Sequence, residues 1–295
     1  SVYFHNLAQP AWMDRDYASF ASEAYMKNVL AHRAINMIAQ CASQVAFRLY
    51  EVGKDGSKQP VDTHPLLSLL ARPNPLNNGK ELLQSIYAYR LIGGSAFLLA
   101  TFECTKEPRE LYALRPDRMS VLTGDNFLPI GFRYTASNQI TDYYVDPETG
   151  WSPVLQIKNF HPLSDWQGLS SIEAAMYSIE QHNEAAAWNQ ALLQNGARPS
   201  GAIVVKSPDG KSANLSESQF DDIKSMVDKI FGGPRNAGRP IILSGGLEWK
   251  EMSISPKDMD YVATKHSAAR DIALALGMPP QLLGIPGDNT YSNLV

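Results

Sequence analysis

Two glycine-rich segments are the first places in this sequence to look for catalysis or phosphate binding. Ser95 lies in Gly93-Gly94-Ser95-Ala96-Phe97. A nucleophile elbow needs a glycine two residues to each side of the serine, and position 97 is phenylalanine. Residues 232–239 are glycine-rich and basic, but they lack the Lys-Ser/Thr ending of a phosphate-binding loop. Turns and connecting loops therefore explain these glycines better than an active site.

The histidines do not form a pattern typical of a metal site. None pairs with a second histidine and a glutamate at helical spacing. His161 and Asp165 could form an acid/base pair on one loop, but a polar loop before the next helix explains them better. We therefore predict no catalytic residue, no metal and no cofactor, and a protein that is not an enzyme. The six histidines are His5, His32, His64, His161, His182 and His266.

Composition indicates a globular protein with a buried core. The 295 residues are 44% hydrophobic and 19% charged, which suits one large domain or two ordinary ones. No secretory signal and no run of about 18 apolar residues is present, so no membrane partner is expected. The missing initiator Met and the end at Val295 suggest a fragment. Cys41 and Cys104 are expected to be buried free thiols in a reducing compartment.

The first half of the chain predicts an α+β fold, with helices followed by a mostly antiparallel sheet. Apolar spacing predicts a helix over 17–43, a strand over 45–52 and a short helix over 64–70. Asn78 with Glu81 predicts the start of a helix from Gly79 to Ile92. The predicted strands that follow are Ser95–Glu103, Glu110–Leu114, Met119–Thr123, Gly131–Thr135 and Val154–Phe160.

The second half predicts two long helices with a small strand-helix-hairpin insertion between them. Ser170 and Glu173 form a capping-box pattern before a helix from Ser171 to about Asn195, roughly 37 Å long. A second helix, about 30 Å long, is predicted from Ser255-Pro256 to Leu276. The two helices can run antiparallel, like a stem. Within the insertion we predict a strand over Ala202–Lys206 and a hairpin of Arg239–Leu243 with Leu247–Met252.

A series of short motifs, in order along the chain, resembles the phage portal protein family of long-tailed bacteriophages and prophages. Each motif is weak alone, but the ordered series from about residue 20 onward is specific. The motifs are the Arg-Pro-Asn-Pro segment within 69–77, 93–97, Leu114–Arg118, Trp166–Ile172, Asn195–Gly201, 215–216, Gly232–Pro240, 253–258, Leu276–Pro280 and Asn289–Asn293.

The resemblance implies a portal-protein fold and a ring of about a dozen subunits at the portal vertex of the capsid. An α/β wing would lie outside, stem helices would line a DNA channel, and a small α/β clip would face the terminase. The crown of the family would be absent from this chain. The implied regions are 1–168 for the wing, 169–196 for the first stem helix, 197–254 for the clip, 255–278 for the second stem helix, and 279–295 for the tunnel loop and the start of the next helix.

The same resemblance implies the function and the partners. The ring would form the channel for DNA packaging into the procapsid and for DNA ejection. It would bind duplex DNA weakly and non-specifically, and contact the terminase large subunit, head-tail connector proteins, and capsid or scaffold proteins. The subunit would be assembled in the bacterial host cytoplasm and reside in the virion. A hydrolase without a recognisable motif, or a monomeric nucleic-acid-binding module, is the alternative.

Two sets of residues are the candidate site residues. In the tunnel loop, one acid and no base would give steric and polar contact with DNA, although an ordinary interhelix loop or a subunit contact is the alternative. In the clip, five basic residues would face the terminase, although a solvated face is at least as compatible with the pattern. The loop set is Pro286, Gly287, Asp288, Asn289, Thr290, Tyr291 and Ser292. The clip set is Lys211, Lys224, Lys229, Arg235 and Arg239.

Overall fold

A computed structural model describes most of the chain and divides it into two compact units. The described residues are 14–102, 107–125, 128–137, 139–194, 201–205, 247–251 and 261–286. The first unit combines Ser1–Glu180 with Ala269–Val295, and the second is Gln181–Ala268. The second unit is therefore an insertion in the sequence of the first.

The described helices begin and end where the sequence supplies capping residues. Asn78 and Glu81 form the predicted capping box, and Gly94 ends the same helix in the left-handed conformation with φ of 73°. His64 caps the short helix that follows it by accepting from the Leu66 N–H. The α-helices are α1 (Tyr17–Ser19), α2 (Val29–Ser43), α3 (Pro65–Ala71), α4 (Gly79–Gly93), α5 (Ser171–Gln194) and α6 (Tyr261–Ala275). A π-helix spans Phe20–Met26, and 3₁₀ turns span Pro116–Arg118 and Pro280–Leu283.

The described strands pair only in antiparallel fashion. They form sheets in the orders β1-β2, β4-β3-β8, β5-β6-β7 and β10-β9. The strands are β1 (Leu49–Val52), β2 (Lys58–Val61), β3 (Ser95–Phe102), β4 (Pro108–Leu114), β5 (Met119–Thr123), β6 (Pro129–Ala136), β7 (Gln139–Tyr144), β8 (Val154–Lys158), β9 (Gly201–Val205) and β10 (Leu247–Glu251).

The core of the first unit has three layers around strand β3. Alternate residues of a strand point to opposite faces. Ala96 therefore packs with Leu82 and Ile86 of α4 on one face. Phe97 packs edge-on against Phe132 of β6 on the other face, with ring centroids 5.9 Å apart. Helix α4 and the sheet β5-β6-β7 thus lie on opposite sides of the sheet β4-β3-β8.

A helical cluster completes this unit. It joins the N-terminal helices to the end of α4, the first half of α5 and the end of α6. Seven of its members have no exposed surface: Ala24, Ala31, Ala34, Ile35, Ile172, Ile179 and Ile272. Apolar burial of this kind is the main term favouring the folded state, at roughly 25 cal/mol per Å².

Several sequence predictions about the elements need correction. The helix predicted over 17–43 is interrupted at Asn28, whose buried side chain accepts from the N–H groups of Leu30 and Ala31, both at 3.1 Å, and so starts a new helix. The strand predicted from Val45 begins only at Leu49. Strand β7 was not predicted, because only Ile140 and its tyrosines carry the strand signal among polar neighbours.

Three further expectations concern single side chains and the insertion. Cys41 is exposed on α2, so the expectation of a buried thiol is wrong there, and Cys104 lies outside the described residues. On α5 the predicted core residues Ile172, Met176 and Ile179 are buried, but the core position near residue 186 is taken by Ala185, and Ala186 is exposed. The partner described for β10 is β9, and the predicted strand Arg239–Leu243 lies outside the described residues.

Candidate functional site

Two glycines hold the end of α4 against the loop before α5. A Cβ atom on Gly94 would overlap the backbone of Gly168, and a Cβ on Gly168 would overlap the backbone of Gly94. The close approach also sets hydrogen bonds, because the Gly168 N–H donates to the buried Ser95 hydroxyl at 2.9 Å. The motifs Gly93–Phe97 and Trp166–Ile172, about 70 residues apart in sequence, are therefore packed on each other.

The side chain of Asn159 links three backbone segments at this junction. Its amide N–H₂ donates to the Leu169 carbonyl at 3.0 Å, and its carbonyl accepts from Arg90 Nε at 2.7 Å. Its backbone N–H donates to the Gly94 carbonyl at 2.8 Å. The end of strand β8 is thereby tied to the C-terminus of α4 and to the loop that leads to α5.

Ser170 connects the two helix ends directly. Its hydroxyl donates to the Ile92 carbonyl at 2.6 Å, which satisfies a C-terminal carbonyl of α4. The same oxygen accepts from the Ile172 N–H at 3.0 Å, which satisfies an N-terminal donor of α5. The serine is buried. The predicted cap at Ser170 is confirmed, and the structure adds that it joins α5 to α4.

The end of α6 forms a Schellman motif. The Met278 N–H donates to the Ala273 carbonyl at 2.8 Å, and the Gly277 N–H donates to the Leu274 carbonyl at 3.0 Å. Gly277 has φ of 66°, in the left-handed region that favours glycine. The predicted helix stop at Gly277 is confirmed, and it sets the direction in which the chain leaves the helix.

The segment that follows α6 is fixed against the helical core. The 3₁₀ turn Pro280–Leu283 ends at Gly284, in the left-handed conformation with φ of 71°. Ile285 is buried against Ala269 and Ala273 of α6. A terminal nitrogen of Arg270 then donates to the Pro286 carbonyl at 2.8 Å. The chain is therefore held up to the first residue of the predicted tunnel loop.

The predicted site residues fall mostly outside this description. Pro286 is described and exposed, and the six loop residues after it lie outside the described residues. All five predicted clip residues lie outside them as well. The packing of the α4–α5 junction and the contact from Arg270 to Pro286 were not predicted from the sequence. The signal available for the junction was the recurrence of Gly-Gly-Ser and Gly-Leu-Ser in two separate motifs.

Burial shifts the pKa of several titratable groups in the described residues, His182 and Tyr17 among them. No group of three or more His, Cys, Asp or Glu side chains there could hold a metal ion. Burial, and then the positive charge of Lys265, lower the pKa of His182 from its ordinary value of 6.5. Burial raises the pKa of Tyr17, and to a lesser extent neighbouring tyrosine and aspartate groups raise it further. None of the helices in the described part is long and apolar enough to cross a membrane.

Comparisons with known proteins show which family the chain belongs to. The family described as "Phage portal protein" matches residues 30–295. The chain belongs to the phage portal protein family. An uncharacterized protein from Rickettsia bellii (strain RML369-C) is 41% identical to it over 294 residues, which is 100% of this chain and 74% of the relative.

Solved structures support the assignment to the portal family at the level of the fold. An HK97 family phage portal protein from Corynebacterium diphtheriae superposes with a TM-score of 0.62 at 16% identity, covering 96% of this chain and 83% of that one. A chain from the neck of a native gene transfer agent particle, computed with C12 symmetry, is 38% identical with a TM-score of 0.66, covering 97% and 74%. The mixed helix and sheet architecture is thus the HK97-family portal fold, and the chain has a structural role of the portal type.

Proposed function

We propose that this chain is a subunit of a portal ring that forms the channel for DNA packaging and ejection. One observation carries the proposal. The chain is 38% identical, over 97% of its length, to a chain in a particle neck computed with C12 symmetry. Identity at that level over almost the whole chain supports the same kind of cyclic assembly. We infer from it a ring of about a dozen copies at the portal vertex of a virion or virion-like particle.

The regions of the subunit take corresponding roles in this proposal. Residues 1–168 form the wing, and residues 197–254 form the clip that contacts the terminase large subunit and the head-tail connector proteins. Residues 169–196 and 255–278 are the stem helices that line the channel. The Ser170 cap supports this assignment, because it fixes the start of the long helix α5 to the end of α4 in the wing. A helix that lines a channel must be held in position at its start.

The tunnel loop is the proposed point of contact with DNA. Arg270 and Ile285 hold the chain at Pro286, so the residues after it extend from a fixed point. Residues 286–292 carry one acid, Asp288, and no base. Each Lys or Arg that touches phosphate adds affinity through counterion release, so a basic loop would retard a moving duplex. A loop without basic residues suits a channel that DNA must slide through.

The clip is proposed as the basic surface that meets the terminase. Lys211, Lys224, Lys229, Arg235 and Arg239 supply the positive charge, and three aspartates lie between them in sequence. The test reverses the charge of each basic residue in turn and measures terminase binding to the assembled ring. The residues whose reversal weakens binding are those that contact the terminase. If terminase binding is unchanged in all five variants, these residues do not contact the terminase.

Replacing Asp288 with lysine tests the contact with DNA. The lysine adds a phosphate-binding charge to the loop, so we expect slower DNA translocation, with a defect that lessens as the salt concentration rises. The matched control is Asp125→Lys, the same change at an exposed residue of the proposed wing. Packaging velocity is measured on assembled procapsids. Equal velocities for the two variants, at low and high salt, would contradict DNA contact at this loop.

A further inference from the structure

A groove with a mainly apolar wall lies at the start of α4, within the first unit. It has a volume of roughly 470 Å³ and is lined by residues 43–47, by α3 and by the first two turns of α4. Seven of its twelve lining residues carry apolar side chains, and Lys80 is the one charged residue among these twelve. Val45 and Phe47 on its wall are 70% and 57% exposed, so apolar surface faces solvent in the single subunit. This surface is termed the α3–α4 groove.

A loop with two exposed apolar side chains follows strand β8. Phe160 is 86% exposed and Leu163 is 91% exposed. Single apolar residues are common on protein surfaces, but two large ones on one short loop are typical of a surface that contacts a partner. The loop, residues 160–165, carries one acid, Asp165, and no Lys or Arg. It therefore presents apolar side chains with one negative charge beside them.

Hydrogen bonds on both sides hold the loop 160–165 in place. Asn159, directly before it, is the residue that is tied to α4 and to the backbone before α5. Within the loop, His161 Nδ1 accepts from the Leu163 N–H at 3.0 Å. At its end, Lys158 Nζ donates to the Asp165 carbonyl. Because the loop is already ordered, burying its apolar side chains against a partner costs little conformational entropy.

The loop cannot enter the groove of its own chain. Asn159 is hydrogen-bonded to Arg90 and Gly94, at the C-terminal end of α4, whereas the groove lies at the N-terminal end of that helix. The 15 residues of α4 separate its two ends by about 20 Å. The four residues from Asn159 to Leu163 reach at most about 14 Å even when they are fully extended. A loop seated in this groove must therefore belong to a second copy of the chain.

We propose that the α3–α4 groove of one subunit receives the loop 160–165 of the neighbouring subunit, with Phe160 and Leu163 buried in it. The charges of the two surfaces are complementary, since Asp165 of one subunit meets Lys80 of the next. Two different surfaces that meet head to tail form a heterologous contact, which is the kind that closes into a ring. This inference rests on the proposed portal ring and identifies the surfaces that join its subunits.

Disulfide crosslinking of the full-length protein tests which surfaces meet. Ala46→Cys in the groove is combined with Leu163→Cys in the loop, in a background in which the native cysteines are replaced by serine. Each subunit then takes part in two contacts, so we expect a ladder of covalent oligomers on non-reducing gels, extending to the whole ring. Either substitution alone should give no more than dimers. The matched control combines Leu163→Cys with Ser57→Cys, at the turn between β1 and β2, and should give no ladder.

Three results of this experiment would overturn the proposal. Rings that form without a ladder would reject these two surfaces as the subunit contact and leave the portal function standing. A wild-type protein that stays monomeric would reject the portal ring together with the contact. Resistance of the Ala46→Cys variant to alkylation in unassembled subunits would place another part of the same chain in the groove.

Reversal of the two charges gives a second test, with a rescue. Lys80→Glu and Asp165→Lys each place like charges opposite one another, so we expect each to lower the fraction of subunits in rings several-fold in sedimentation. Lys80→Glu adds an acid to the first turn of α4, where the helix dipole favours it, so the subunit still folds. The combined variant should recover assembly, and Lys54→Glu, at an exposed residue, is the matched control that should not change it. A combined variant no better than the single ones would contradict the pairing of loop and groove.

Discussion

Replacing Ser170 with alanine should lower the free energy of unfolding by an amount that the two shortest hydrogen bonds of its hydroxyl predict. Loss of a serine cap costs about 1 kcal/mol. Leaving the buried Ile92 carbonyl without its donor costs about another 1–2 kcal/mol. The hydroxyl makes both bonds, at 3.0 Å to the Ile172 N–H and 2.6 Å to the Ile92 carbonyl, and the residue is 3% exposed. We therefore expect a total loss of about 2–3 kcal/mol in the free energy of unfolding.

The free energy of unfolding is measured by urea unfolding, monitored by circular dichroism, and the slope of the transition is compared between variants. Ser164→Ala is the matched control, because its hydroxyl accepts one exposed hydrogen bond, from the Gln167 N–H at 3.1 Å. We expect that control to change stability by less than about 0.5 kcal/mol. A similarly small change for Ser170→Ala would refute the reasoning that one buried hydroxyl joins the ends of α4 and α5.

Two further predictions concern the loop and the pH dependence of stability. Arg270→Ala should speed amide exchange at Gly284 and Ile285, the described amides next to Pro286, because the Pro286 carbonyl loses its donor. Arg270→Lys should retain part of the protection, and equal rates in all three proteins would contradict this anchor. The pKa of His182 lies below its unfolded value of 6.5, so the unfolded chain binds the proton more strongly. Stability should therefore fall as the pH drops below about 6.5, and His182→Gln should flatten that dependence in denaturation measured from pH 7 downward.

The sequence was most informative where local chemistry decides the structure. Asn78 and Glu81 form the predicted capping box, and Gly277 ends α6 as predicted, because caps depend on a few neighbouring residues. The long helix α5 is helical as predicted from Ser171 through Gln194, because this stretch has no helix breaker, and its predicted end near Asn195 borders residues outside the description. Strand β5 has the predicted bounds Met119–Thr123.

What sequence could not predict depends on contacts between distant segments. The glycines at 94 and 168 look like ordinary turn residues until their backbones are seen to pack on each other. Asn28 lies in a continuous apolar pattern, and only its buried side-chain contacts show that a new helix begins there. The contact from Arg270 to Pro286 spans 16 residues, and no local pattern indicates it. The candidate site was therefore predictable as a loop, but not as a loop held by a defined anchor.

Single-particle electron microscopy of the full-length protein tests most directly whether it forms a portal ring. We expect closed rings of about a dozen subunits, with a central hole wide enough for duplex DNA and with residues 286–292 at the wall of that hole. Monomers under conditions in which capsids assemble would contradict it. Rings in which these residues lie on the outer surface would contradict the assignment of the tunnel loop.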